Sequence, residues 1–380
     1  MKRLLSTTVA LAAILAVWYG AADTAPTSVA SSRAPLPTRL QRTLDDFLRA
    51  HPTFPGVVMT VRAPRLTWTG AAGVADRASR KPLTTDATFR IASVGKTFTA
   101  AAILRLVEDG KLALDDRIAK QLSSSSVVLL RKGGYDVDAI RVRHLLTHTS
   151  GLYDFAEDKD YQAYVVSHPR HRWTRGEQVR FAMTHGRPVF EPGSSETYSD
   201  TGYVLLGEML ERVTGRGLAA AYRTLLPFDR LNLDETYLET LEPRPAHAKP
   251  RAHQYFGTVD TIGIDPSFDL YGGGGHVSTV DDLARFYRGL FGGRVFEKPA
   301  TLRTMLGKAS PHAPSELGMG IFYLPIGGET CWFHNGFWGI NVVHCPRSGV
   351  TIASMVNQAN GFIKPTIQLQ ATVHGLVERP

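Results

Sequence analysis

Thr88-Phe-Arg-Ile-Ala-Ser-Val-Gly-Lys-Thr-Phe-Thr99 is the stretch on which the reading of this chain turns. The run that follows, residues 98–108 (FTAAAILRLVE), is strongly helical and ends at Gly110, a residue suited to a helix C-terminus. Ser93 and Lys96 therefore stand three apart at a helix start, on one face, with neighbouring side chains. A serine hydroxyl is inert at its own pKa and needs an adjacent base; a lysine can serve when burial or nearby positive charge keeps it neutral. The spacing alone carries little weight, because S-x-x-K arises by chance about once in a chain this long. An exposed helix start with a solvated lysine has the same letters.

Outward from that segment, Leu40, Leu44, Phe47 and Leu48 mark an amphipathic helix over residues 38–50. Residues 56–62 (GVVMTVR) and 66–73 are β-rich runs around Ala63-Pro64-Arg65, a hairpin signal. Residues 115–271 alternate helical runs with Pro- and Gly-rich loops and contain no convincing strand ladder. Clear helices are read at 202–213 and at 280–290, the second capped by Ser278 and Thr279. Strand signals return at 331–336, 340–345 and 350–357, and a helix at 365–378 closes the chain. The order predicts an α/β (α+β) fold: an antiparallel sheet built from both chain ends and flanked by helices, plus a mostly helical inserted lobe. The expected sheet lobe covers about 38–92 and 291–380, the helical lobe about 93–290, with the active site in the cleft between them.

The chain has 380 residues, enough for two packed lobes, and 43 Lys and Arg against 35 Asp and Glu give a net charge of +8. These basic residues are scattered in ones and twos with no nucleic-acid-binding motif, so no nucleic-acid partner is expected. Lys2 and Arg3 precede an uncharged stretch, residues 4–22, ending in Gly20-Ala21-Ala22. That pattern predicts a signal peptide over 1–22 and export to the periplasm or beyond, followed by a flexible tether over 23–37 rich in Ala, Ser, Thr and Pro. The alternative is an uncleaved anchor, though Ser6, Thr7 and Thr8 shorten its apolar part. After cleavage no stable membrane span is expected. The two cysteines, Cys331 and Cys345, flank a hairpin-like segment with Trp338 midway between them. Strands folded about that turn would set the sulfurs roughly opposite, within reach of a disulfide; two buried free thiols are the other reading.

Further segments change the weight of Ser93 and Lys96. They are His144-Leu-Leu-Thr-His-Thr-Ser-Gly-Leu152, Glu191-Pro-Gly193 leading to Tyr198-Ser199-Asp200, residues 202–215 (GYVLLGEMLERVTG), residues 273–286 (GGGHVSTVDDLARF) and His334-Asn335-Gly336. In this order, and over most of residues 40–357, the chain resembles the penicillin-recognising serine hydrolases: β-lactamases, DD-carboxypeptidases and related esterases. The resemblance implies an acyl-enzyme on Ser93, with Lys96 and Tyr198 as proton-transfer partners. It makes His334 and Gly336 the family's third element. The backbone N–H groups of Ser93 and Phe337 would form the oxyanion hole.

Position 200 departs from the pattern, with Asp where penicillin-processing relatives usually carry Asn. An Asn amide donates to a substrate carbonyl and accepts from lysine, whereas an ionised Asp only accepts. Asp200 beside Lys96 therefore shifts the expectation toward esters. His334, where many relatives carry Lys, removes a fixed positive charge.

Other motifs fail on single residues. A phosphate loop ending at Gly95-Lys96-Thr97 needs Gly where Arg90 stands; the G-x-S-x-G elbow needs Gly where Ile91 stands; a zinc-peptidase helix on His144 and His148 needs Glu where Leu145 stands. The thirteen histidines read as mostly structural, and neither metal nor cofactor is implied. The expected partner is a small-molecule or peptide substrate, an ester or a D-amino-acid peptide or amide, with β-lactamase or DD-carboxypeptidase activity proper as the alternative. From a different class, a catalytically silent protein could bind cell-wall fragments or serve as a scaffold; intact Ser93, Lys96 and Tyr198 argue against it.

Overall fold

The run Val57-Val58-Met59 has no polar alternation, and the computed structural model, which describes residues 34–308 and 317–379, gives the reason. The expected signal peptide and most of the tether lie outside the described residues. Among those described, the strands are β1 (Gly56–Ala63), β2 (Leu66–Gly73), β3 (Phe89–Arg90), β4 (Tyr237–Leu238), β5 (Tyr255–Phe256), β6 (Val259–Asp260), β7 (His276–Ser278), β8 (Phe322–Ile326), β9 (Glu329–Gly336), β10 (Ile340–Cys345) and β11 (Val350–Val356). Six of them form one antiparallel sheet in the order β2-β1-β11-β10-β9-β8. The chain ends meet where β1 pairs with β11, Val57 opposite Val356 and Arg62 opposite Thr351.

Both faces of this sheet are covered. Val57, Met59, Val61, Ile352 and Val356 bury with Leu40, Leu44 and Phe47 of the helix Leu36–Ala50 and with Leu369 and Val373 of the helix Ile363–Glu378. Val58, Val342, Ala353 and Met355 face the other way, into a core shared with the helices Gly95–Glu108 and Val280–Phe291. A strand buried on both faces needs apolar residues at every position, hence the continuous run. Each such side chain contributes on the order of 2 kcal/mol by leaving water.

The antiparallel sheet from both chain ends, flanked by helices, is the architecture read from the sequence; several details differ. The first helix starts at Leu36, with proline in its first turn, so the last two residues of the expected tether are helical. The helix Val280–Phe291, placed in the expected helical lobe, packs on β1, β10 and β11 as well as on the short helix Phe228–Leu231. One core runs from the helical segments into the sheet face. The region read as free of strand ladders contributes β4, which joins β3 and β7 in the order β3-β7-β4, and the β5–β6 pair. Two-residue strands carry no periodicity to read. β8 was also unexpected; it is an edge strand, the position that tolerates its Pro325. No described helix is long and apolar enough to cross a membrane.

β9 pairs with β10 in a register that sets Trp332 opposite His344, so the next residues outward, Cys331 and Cys345, face each other at a Cα separation of 4.2 Å, and their sulfurs are bonded. Closing a loop of this length restrains the unfolded chain by about 3 kcal/mol. Alkylation of denatured, unreduced protein should therefore label no thiol, and replacing both cysteines with alanine should cost about 2–4 kcal/mol in urea unfolding. Two titratable thiols in denatured, unreduced protein, purified without reductant, would contradict the bond.

Candidate active site

Ser93 lies where β3 ends and the chain turns, through the short helical turn Ala92–Val94, into the helix Gly95–Glu108. Ala92 holds φ at +44°, a left-handed conformation that costs a residue with a Cβ about 1–2 kcal/mol and is kept only where surrounding structure enforces it. The enforcing contacts are visible. Ile91 N–H donates to the His276 carbonyl at 3.0 Å, and Gly336 lies so close beneath that any Cβ there would overlap the Ile91 carbonyl.

Lys96 is fully buried, and its Nζ has three oxygen neighbours: Ser93 Oγ at 3.0 Å, Asp200 Oδ1 at 2.5 Å and the Gly273 carbonyl at 2.8 Å. Three acceptors match the three donors of an ammonium. Asp200 is the first residue of the helix Asp200–Thr214, whose N-cap Ser199 accepts from Gly202 N–H, and a helix N-terminus favours a carboxylate. The Asp200 N–H donates to Asp154 Oδ1 at 3.2 Å.

The Tyr198 phenol lies beside the Ser93 side chain. Burial first, and the Asp200 charge second, hold its pKa well above the usual range, so it keeps its proton. Its ring stacks on His148 with centroids 4.3 Å apart, and Lys96 Nζ lies 4.9 Å from the ring centre. His148 Nδ1 accepts from Ser199 N–H at 3.0 Å, which leaves the proton on Nε2, and burial keeps the ring neutral. Among the histidines read from sequence as mostly structural, His148 is the one that stacks on Tyr198. The signal that could have found it is its place inside the His-Thr-Ser-Gly segment.

His334 is buried on β9, its Nδ1 2.7 Å from the Asn335 carbonyl, so Nδ1 carries the proton and Nε2 offers a lone pair. Burial, then the Lys96 charge, lowers its pKa to about 3. It supplies no positive charge. Three more carboxyls sense Asp200: burial and that charge hold Asp154 well above the ordinary range and raise Glu157 and Asp269 to about 7. Lys96 thus sits among several acids, a poor setting for a substrate carboxylate. No hydrogen bond from the Ser93 or Phe337 amide is found among the described residues, and an unpaired N–H is free to bind an anionic oxygen.

Ser93, Lys96, Tyr198 and Asp200 are therefore in direct contact, with His334, Gly336 and Phe337 alongside; Cys331 and Cys345 lie behind, at the far end of the β9–β10 hairpin. Asp76, His253 and Asp260 are close enough together to share an ion, but none of them belongs to this cluster.

The Beta-lactamase family model matches residues 44–370. This chain belongs to the beta-lactamase family. As a member of that family it is similar to the esterase EstB of Burkholderia gladioli, at 34% identity over 211 residues, 54% of this chain and 53% of the relative. Among solved structures it resembles a D-stereospecific amidohydrolase from Streptomyces sp. (30% identity, TM-score 0.74, covering 88% of this chain and 98% of that one). It also resembles the D-amino acid amidase of Ochrobactrum anthropi SV3 complexed with L-phenylalanine amide (27% identity, TM-score 0.75, covering 91% and 99%). This beta-lactamase-family chain spans about half the length of the curated relatives it matches.

Proposed function

We propose that this protein is an exported serine hydrolase that forms and hydrolyses an acyl-enzyme on Ser93, acting on short esters or on amides and peptides of D-amino acids. The observation that carries the reading is the single hydroxyl of Ser93 held by Lys96 Nζ, at 3.0 Å, with the Tyr198 phenol beside it. An esterase and D-amino-acid amidases among the relatives support the substrate class. Residues 1–22 support export, and cell-wall fragments are then accessible substrates.

In the first step Ser93 Oγ attacks the carbonyl carbon while its proton passes to the Lys96–Tyr198 pair, and the oxygen that becomes negative is held by the Ser93 and Phe337 amides. Collapse expels the alkoxide or amine, which takes that proton through Tyr198; water then repeats the sequence on the acyl-enzyme. With Lys96 donating in three directions and the Tyr198 phenol intact, neither is a base for the Ser93 proton until the cluster gives up one proton. Activity should therefore rise with pH. Asp200 opposes the loss, and esters, with their better leaving groups, tolerate this better than amides.

Asp200→Asn tests the assignment. Removing the charge lowers the Tyr198 pKa, so the rising limb of kcat/KM should move to lower pH. The new amide can donate to an acyl-amide carbonyl, and the ratio of kcat/KM for nitrocefin to that for 4-nitrophenyl acetate should rise by about tenfold. A ratio that is unchanged or falls would mean that Asp200 does not set the substrate class.

A further inference from the structure

We infer that Gln254 is a positioning residue that fixes the spacing of the two amides assigned to the oxyanion; the inference rests on that assignment. Gln254 is 3% exposed and immediately precedes β5. Its Oε1 accepts from Arg90 N–H at 2.9 Å, while its Nε2 donates to the Arg90 carbonyl at 2.9 Å and to the Trp338 carbonyl at 3.2 Å. Arg90 is three residues before Ser93, and Trp338 is the residue after Phe337. One side-chain amide thus ties together the two backbone segments whose N–H groups must converge on one oxygen.

The brace is itself held. β3 pairs with β7, and both backbone polar groups of Arg90 go to the Gln254 amide, which completes the pairing as a neighbouring strand would. The Gln254 carbonyl accepts from Thr261 N–H at 3.0 Å and from Thr261 Oγ1 at 2.6 Å. In return the Arg90 guanidinium donates to the carbonyls of Thr261 and Ile264 at 3.1 and 2.8 Å. Loop and nucleophile segment are therefore cross-linked in both directions. Between Arg90 and Ser93 lies the strained Ala92, which would relax if the segment were released. An oxyanion hole stabilises the transition state only while its donors stay aimed, so a shift of a few tenths of an ångström to 1 Å lowers the rate without weakening substrate binding.

The experiment compares wild type, Gln254→Met and Gln254→Glu in burst kinetics with 4-nitrophenyl acetate and its C=S analogue, whose longer, weakly accepting sulfur fits an oxyanion hole poorly. Expected for Gln254→Met is an acylation rate lower by about ten- to a hundredfold, a dissociation constant within about twofold, and an oxygen-to-sulfur rate ratio that falls toward one. Gln254→Glu should recover relative to wild type as the pH is lowered, because the protonated acid can donate to one of the two carbonyls while the carboxylate repels both. A folded Gln254→Met with normal acylation, or with slow acylation and an unchanged ratio, would overturn the inference. If Gln254→Met does not fold, a Gln254→Glu rate that keeps a constant proportion of wild type at all pH values overturns it equally. A wild-type ratio already near one would remove the oxyanion assignment itself.

Discussion

Ser93→Ala should yield a folded protein that is not labelled by an activated phosphonate and whose ester turnover is lower by about five to six orders of magnitude, the scale of removing a hydrolase nucleophile. Folding should survive because the change keeps the Cβ and leaves Lys96 bonded to Asp200 and to the Gly273 carbonyl. No buried charge is orphaned, and a shift in stability within about 1 kcal/mol is expected. The measurements are mass spectrometry of the labelled chain and urea unfolding beside the kinetics. Labelling of another residue in the variant would sink the assignment of Ser93 as nucleophile.

Lys96→Met combines two effects that can be separated. Ester kcat should fall by about two to four orders of magnitude, as for a positioned acid-base group. The same change leaves Asp200, which is 8% exposed, facing Asp154 with no cation, and stripping one partner from a buried pair costs about 3–5 kcal/mol. In Lys96→Met/Asp200→Asn the uncompensated charge is gone; that variant should regain most of the stability and none of the rate. Tyr198→Phe should lower kcat over the same range with little loss of stability, since the ring keeps its stacking on His148. Near-normal turnover in Lys96→Met and Tyr198→Phe would place the base elsewhere.

The pairing of Ser93 with Lys96 was legible because a three-residue spacing on a helix is local geometry. Tyr198 and His334 lie more than a hundred residues from Ser93, and only the ordered segments around them gave them away. Asp200 stood out as a departure inside such a segment, and its contact with Lys96 follows from the helix that begins there. His148 left only its place inside the His-Thr-Ser-Gly segment, and Gln254 no comparable trace. What each does depends on stacking or on hydrogen bonds to backbone far away in sequence, which residue type and spacing do not encode. The helix Val280–Phe291 shows the same limit for the fold: its amphipathic pattern says that one face is buried, but not that the sheet is what buries it.

Because β1 finds its partner in β11, about three hundred residues later, the sheet waits until that strand has been made. At typical ribosomal rates the first hairpin would stand uncovered for roughly fifteen seconds to a minute, with Val57, Val58, Met59 and Val61 open to any other strand. Such distant contacts make for slow folding and favour a chain kept extended by chaperones, or threaded through a membrane, until its last strand arrives. Losing residues 350–380 would remove β11 and the helix Ile363–Glu378 together, splitting the sheet between its second and fourth strands and leaving two exposed edges poised to associate with neighbouring chains.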